Sequence, residues 1–131
     1  MVIFSLTNGA TFSGKALFDT GNAKSPLTIN SLFKEENHLI EKIESVFSTA
    51  SEGFNTRENS KPAIIATLKF GNFTFSKIPI HLSESKEGVL AWKGYLGLLG
   101  IELISKFNFI LDYKSKKIYY RPNDNFEKDF E

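Results

Sequence analysis

The chain has 131 residues, of which 41% are hydrophobic and 24% charged, with a formal net charge of +1. That is one domain with room for a core, and its interspersed charges do not steer the surface toward nucleic acid or an anionic membrane. It contains no cysteine, which excludes a disulfide framework and a thiolate metal site. Absent cysteine does not fix the compartment. No apolar run reaches membrane-spanning length, so no membrane span is expected. No basic region with an apolar stretch of about 7–15 residues stands before Met1-Val2-Ile3-Phe4, so no signal peptide is expected. A periplasmic or cell-envelope setting follows only if the chain is cut from a longer exported protein.

The 13 Phe against one Trp and one Met predict a core of aromatic and β-branched side chains, which favours strands. Val2, Phe4 and Leu6 alternate as in a strand, and Asn8-Gly9 is a strong hairpin signal. A second strand is expected over residues 10–18, ending at Asp19. Ser25-Pro26 breaks the next segment. Asn30 or Ser31 can cap a helix carrying Leu32, Phe33, Glu35 and Glu36, with its acids in the first turns. Leu39, Ile40, Ile43, Val46 and Phe47 continue a roughly helical spacing. Residues 48–62 are polar, with Gly53 and Pro62, and predict a mobile loop. Residues 63–70 and 73–82 read as strands joined at Gly71-Asn72. Pro79 predicts a sheet edge or an irregular position for the second of them. Glycines 94, 97 and 100 punctuate the following segment and are expected to permit tight strand crossing. Phe107, Phe109, Leu111 and Tyr113 alternate, residues 114–117 turn, residues 118–121 return and Pro122 ends the last strand. Residues 123–131 read as an acidic tail carrying Phe126 and Phe130. The expected fold class is all-β, with one or two short helices.

Two motifs carry chemistry. Ala16-Leu17-Phe18-Asp19-Thr20-Gly21 is an apolar strand delivering an acid into a Thr-Gly turn. Leu98-Leu99-Gly100-Ile101-Glu102-Leu103-Ile104 is an apolar strand, a glycine and a short apolar helix. An acid on such a turn suits hydrolysis when it meets a second one. Two close carboxylates do not both ionise easily, so they share a proton, and their apparent pKa values belong to the pair. One then serves as general base toward water and the other as general acid. Glycine lets the backbone approach closely without a Cβ, and the Thr hydroxyl can reach the opposite loop and hold the acids coplanar. The tripeptide alone is also an ordinary turn sequence, expected by chance in roughly a few per cent of chains of this length. The weight comes from its surroundings.

With those surroundings the chain resembles retropepsin-like aspartic proteases, in particular the bacterial single-lobe kind that occurs alone or in tandem. Phe18-Asp19-Thr20-Gly21 matches the catalytic turn, and Leu98-Leu99-Gly100 with Leu103 and Ile104 matches the apolar-apolar-Gly strand and its helix. Phe107-Asn108-Phe109, Asp112-Tyr113-Lys114 and Ile118-Tyr119 match the C-terminal hairpin of the bacterial group. Leu68-Lys69-Phe70-Gly71 matches the segment after the flap. The resemblance is thin between residues 40 and 62. Asn22 stands where relatives usually carry Ala or Ser, Lys24 follows closely, and Glu102 replaces a common Asp or Asn.

The resemblance implies an acid-protease half-barrel, a single lobe over residues 1–122 with residues 48–62 as flap and 123–131 as tail. It resembles the second lobe of tandem members. Asp19, Thr20 and Gly21 are then the catalytic residues, and Asn22, Gly53 and Phe54 contact substrate. Leu98, Leu99 and Gly100 support the site. The implied reaction is aspartic-type peptide hydrolysis, this chain supplying one carboxylate and a second lobe or a homodimer partner the other. The implied partners are a peptide or protein substrate and that second lobe, with no cofactor. The alternative is a non-catalytic peptide-binding or assembly lobe that retains the fold.

Other residues read more plainly. His38 and His81 fall in different elements with no cysteine to support them, so no metal site is expected. Glycines 94, 97 and 100 lack the Gly-Lys-Ser/Thr of a phosphate loop. Trp92 is expected in the core, although a peptide pocket would also suit it. Lys114-Ser115-Lys116-Lys117 reads as a solvated hairpin turn rather than a nucleic-acid patch.

Overall fold

Alternating apolar residues and two glycine turns generate most of the architecture. The structure, a computed structural model, describes residues 1–23, 25–43 and 60–130. Nine strands dominate it, with three short α-helices and one 3₁₀ turn among the described residues. β1 (Val2–Ser5) and β2 (Thr11–Gly14) form the hairpin expected at Asn8-Gly9, where Gly9 has φ 89°. Val2, Phe4 and Leu6 all face inward. β5 (Ser60–Phe70) and β6 (Phe73–Ser83) form the long second hairpin. β3 (Ala16–Phe18), β4 (Leu27–Ile29) and β7 (Gly97–Leu99) complete a seven-stranded sheet in the order β2-β1-β5-β6-β4-β7-β3. β8 (Phe107–Asp112) and β9 (Lys117–Pro122) pair separately. The expected all-β class is the one observed.

Residues 10–18 are not one strand. β2 and β3 lie at opposite ends of the seven-stranded sheet, yet only Lys15 separates them in sequence. The sheet must therefore curl until its two edges meet, giving a nearly closed, barrel-like form. The break falls where the chain changes partner: β2 pairs with β1, and β3 pairs with β7. Leu96 N–H donates to Lys15 O at 2.7 Å across this junction. A Cβ on Gly14 would stand 2.8 Å from the Leu96 Cβ.

The helices differ from expectation in detail. α1 (Ser31–Glu36) is capped by Asn30, whose side chain accepts from Leu32 N–H and Phe33 N–H. Its first turn carries no acid; Lys34 stands in its last turn, and Glu35 and Glu36 follow at the end of the helix. The helical spacing does not run on. His38 adopts φ 53°, α2 (Leu39–Lys42) is a single turn, and Ile43 is extended. Val46 and Phe47 lie outside the described residues. α3 (Ile101–Ile104) follows Gly100 directly.

Two further expectations need correction, and a third, left open between two alternatives, is resolved. Residues 60–62 belong to β5 rather than to the 48–62 loop, because they pair with Leu82 and its neighbours on β6. Of the two positions expected for Pro79, a sheet edge or an irregular one, the structure has the second, since β6 lies between β5 and β4. The proline is accommodated because β4 pairs only from His81 onward, leaving that side of Pro79 without a ladder. Lys77, two residues earlier, has φ 52°, and the β5–β6 register skips the Ala66 and Lys77 pair. Trp92 is not in the core; it is 54% exposed.

The phenylalanines concentrate at one end of the barrel. Phe70, Phe73, Phe75, Phe107, Phe109 and Tyr120 pack ring against ring, with centroids such as Phe70 and Tyr120 at 4.9 Å. Phe126 joins them at 5.3 Å from Phe73, and Phe130 at 5.6 Å from Phe75. The acidic C-terminal segment thus folds back onto the core. Lys106, 3% exposed, fixes it: its Nζ donates to the carbonyls of Asn125, Phe126 and Lys128 and lies 4.5 Å from the Phe130 ring centroid. Burial holds this ammonium below its ordinary pKa, against the pull of Asp129 and Glu102. At the β8–β9 turn, the Ser115 hydroxyl and amide hold the Asp112 carboxylate below its ordinary value. The outer part of that hairpin leaves Ile110, Leu111, Ile118 and Tyr119 exposed. No helix among the described residues is long and apolar enough to cross a membrane.

Candidate active site

Three apolar residues, Ala16-Leu17-Phe18, run parallel to β7 in the register Ala16 to Gly97, Leu17 to Leu98 and Phe18 to Leu99. β4 takes the other side of β7 antiparallel, with Leu27 opposite Leu99 and Ile29 opposite Gly97. The chain leaves β3 at Asp19, loops through residues 19–26 and returns as β4. That loop therefore straddles the C-terminal end of β7.

Backbone hydrogen bonds secure the straddle. Asp19 N–H donates to Leu99 O at 3.0 Å, Gly100 N–H to Pro26 O at 3.0 Å, and Ile101 N–H to Asn22 O at 2.9 Å. Such contacts demand close approach, and the two glycines supply it. A Cβ on Gly97 would lie 2.0 Å from Thr28 O, and one on Gly100 would lie 2.0 Å from Ser25 O and 2.9 Å from Asn22 O. The expected tight crossing is present at these two positions but not at Gly94, which has φ 89° and nothing within 4 Å of a Cβ. Leu98 and Leu99 are buried beneath the turn. Phe18, the residue before the acid, stacks edge-on against Phe109 at 4.9 Å, tying the turn to the aromatic cluster.

The turn itself is ordered by its own acid. Asp19 Oδ1 accepts from Gly21 N–H at 3.0 Å, and Asn22 N–H donates to Asp19 O at 3.2 Å, an Asx-type turn. Asp19 is half-buried, while Thr20 and Gly21 are exposed. Among the described residues, the Gly21 amide is the one hydrogen-bond partner of the Asp19 carboxylate, and the Thr20 hydroxyl has none. The result is a half-buried carboxylate on a turn clamped to the end of β7. Alone it lacks the second acid that would polarise a carbonyl.

The structure thus brings together Asp19, Thr20, Gly21, Asn22, Leu98, Leu99 and Gly100. Gly53, Phe54 and Lys24 lie outside the described residues. Asn22 is tied into the framework, its Nδ2 donating to Thr28 Oγ1 at 3.0 Å. Two supporting residues escaped sequence reasoning. Ser25 is buried, and its Oγ bonds Leu27 O at 2.5 Å and Leu27 N–H at 3.1 Å; a serine before proline signalled only a break. Thr28 anchors Asn22 from within an apolar strand, where its hydroxyl was the available signal. Among the described residues no group of three or more His, Asp or Glu is placed to hold a metal ion.

No protein-family model and no curated protein matches the chain. Among solved structures, a crystal structure of a retropepsin-like aspartic protease from Rickettsia conorii is similar in fold. The alignment covers 92% of this chain and 90% of that one, at 17% sequence identity and a TM-score of 0.46.

Proposed function

We propose that this chain is one half of an aspartic peptidase, in which Asp19 meets the equivalent acid of a second lobe or a second copy. The observation that carries the reading is the clamped Asp-Thr-Gly turn. Its acid is held by β7, while its threonine and glycine are left at the surface with a hydroxyl seeking a partner. In the paired state the two carboxylates share one proton. The ionised one takes a proton from water as that water attacks the peptide carbonyl, and the protonated one donates toward the carbonyl oxygen. Thr20 reaches the opposite turn, and Gly21 permits the close approach. Exposed Ile110 and Tyr119, which face each other across β8 and β9, support a protein partner rather than an isolated lobe.

The test is cleavage of extended peptides near pH 5, at concentrations where sedimentation velocity shows a dimer or with a second lobe supplied. Asp19→Asn is expected to lower turnover by roughly 10²–10⁴-fold while leaving the unfolding midpoint unchanged. Unaltered cleavage in that variant would overturn the assignment. The presence of a single such acid in the chain favours one rival, a peptide-binding lobe without turnover. That rival predicts binding indifferent to Asp19→Asn at every acidity.

A further inference from the structure

Trp92, the only tryptophan of the chain, is neither in the core nor isolated on the surface. It lines a cavity of about 180 Å³ with Leu32, Phe33, Glu36, Gly94 and Tyr95. The Trp92 and Tyr95 rings stand 6.3 Å apart at 54°, so they form two walls at an angle rather than a stack. The third wall is α1, which presents Leu32 and Glu36 one turn apart. Glu36 is the one charged residue of the lining, and among the described residues it forms no salt bridge.

The walls are pinned before any ligand arrives. Asn30 is fully buried and serves both sides at once. Its Oδ1 caps α1, accepting from Leu32 N–H at 2.8 Å and Phe33 N–H at 3.2 Å. Its Nδ2 donates to Val89 O at 3.3 Å and Trp92 O at 3.0 Å, and its own N–H donates to Leu96 O at 2.8 Å. Ser31 Oγ adds a bond to Leu90 O at 3.0 Å. A single asparagine therefore fixes the spacing between the helix and the aromatic loop, so little ordering cost remains for binding.

From this arrangement we infer a binding pocket for a basic side chain, the guanidinium or alkylammonium head of an arginine or lysine in a polypeptide. Angled aromatic faces attract a cation through their quadrupoles, a carboxylate at the rim completes the charge, and Leu32 and Phe33 receive the aliphatic stem. The volume suits one side chain rather than a folded ligand. The pocket stands at the N-terminal ends of β3 and β7, about 10 Å of strand from the Asp19 turn, and it does not depend on Asp19 being catalytic.

Trp92 makes the test direct, since emission under tryptophan-selective excitation reports this pocket alone. The full chain is titrated with N-acetyl-arginine methylamide, N-acetyl-lysine methylamide and the neutral N-acetyl-norleucine methylamide. The expected result is a saturable change in emission with the two cations and a weaker or absent one with norleucine. Glu36→Gln, at an exposed position, should weaken cation binding by roughly fivefold, and Tyr95→Leu should weaken it further. No saturable change with either cation, an equal response to norleucine, or unchanged affinity in Glu36→Gln would each overturn the inference.

Discussion

Placing a single methyl group at Gly100 tests the clamp on the acid turn. Gly100 has φ −93°, a conformation open to any residue, so alanine there suffers no backbone strain. Its Cβ would instead meet Ser25 O at 2.0 Å and Asn22 O at 2.9 Å. Both are backbone atoms of the 19–26 loop and cannot rotate away. Relieving the collision means lifting that loop from the end of β7. Overpacking of this kind costs about 1–3 kcal/mol, and the bonds from Gly100 N–H to Pro26 O and Ile101 N–H to Asn22 O add about 1 kcal/mol each if lost. A loss of about 3 kcal/mol is expected. With an m-value of about 1.5–2 kcal/mol/M in urea, the unfolding midpoint should fall by about 1.5–2 M. Gly9→Ala is the control: Gly9 sits at φ 89° with nothing near its Cβ position, so that variant suffers left-handed strain of about 1 kcal/mol and no collision. Equilibrium urea unfolding followed by far-UV circular dichroism reads both. If Gly100→Ala falls no further than Gly9→Ala, the clamp does not hold the turn as argued.

Other outcomes follow from charged groups held by burial or by hydrogen bonds. Lys106→Met should free residues 123–130, seen as faster amide hydrogen exchange there, at a cost of about 1–3 kcal/mol for the lost carbonyl contacts. The Lys106 pKa is lowered on folding, so the native state sheds its proton first. Relative to Lys106→Met, the wild type should therefore gain stability as pH rises through the folded pKa toward the ordinary 10.5. The Asp112 pKa is lowered too, with the same sign in an acidic window: its contribution is present above the ordinary 3.8 and lost as pH falls through the folded value. A carboxyl titration by NMR should place the Asp112 midpoint below 3.8, and Ser115→Ala should raise it. Lys34, 4% exposed, meets Glu84 at 2.7 Å; Glu84→Gln should cost about 1–2 kcal/mol, after discounting for solvent at the carboxylate. Restoration of most of that loss in a Lys34→Met, Glu84→Gln double variant would confirm that the unpaired buried charge causes it.

What the sequence made legible was local. Val2, Phe4 and Leu6 announce β1 through period two, and Asn8-Gly9 and Gly71-Asn72 announce their hairpins through turn chemistry alone. The Asp-Thr-Gly turn and the apolar strand ending at Gly100 were readable as a pair because each has its own signature. What was illegible depended on distant partners. Nothing within residues 10–18 marks Lys15 as the point where the chain passes from β1 to β7, because the choice is made by residues 97–99. Trp92 looked like core because its type usually is, whereas its exposure follows from the turn at Gly94 and the pinning of its carbonyl by Asn30. Asn30 was visible as a helix cap, but its second set of bonds joins segments some sixty residues apart. Residues 60–62 looked like loop because their composition is polar, and β6 made them strand.

Because β3 finds its sheet partner in β7, the acid turn is a late product of chain synthesis. β1, β2, β5 and β6 can pair among themselves once Ser83 has left the ribosome. Asp19 by then has long emerged, yet it sits on a strand with nothing to bind, and the loop behind it has no glycine to straddle. Closing the span from Phe18 to Leu99 carries a loop-closure cost that is met only when the β7 ladder forms. A nascent or truncated lobe therefore carries the Asp-Thr-Gly sequence without its geometry, and chains cut short of residue 97 would hold a flexible aspartate in place of a built one.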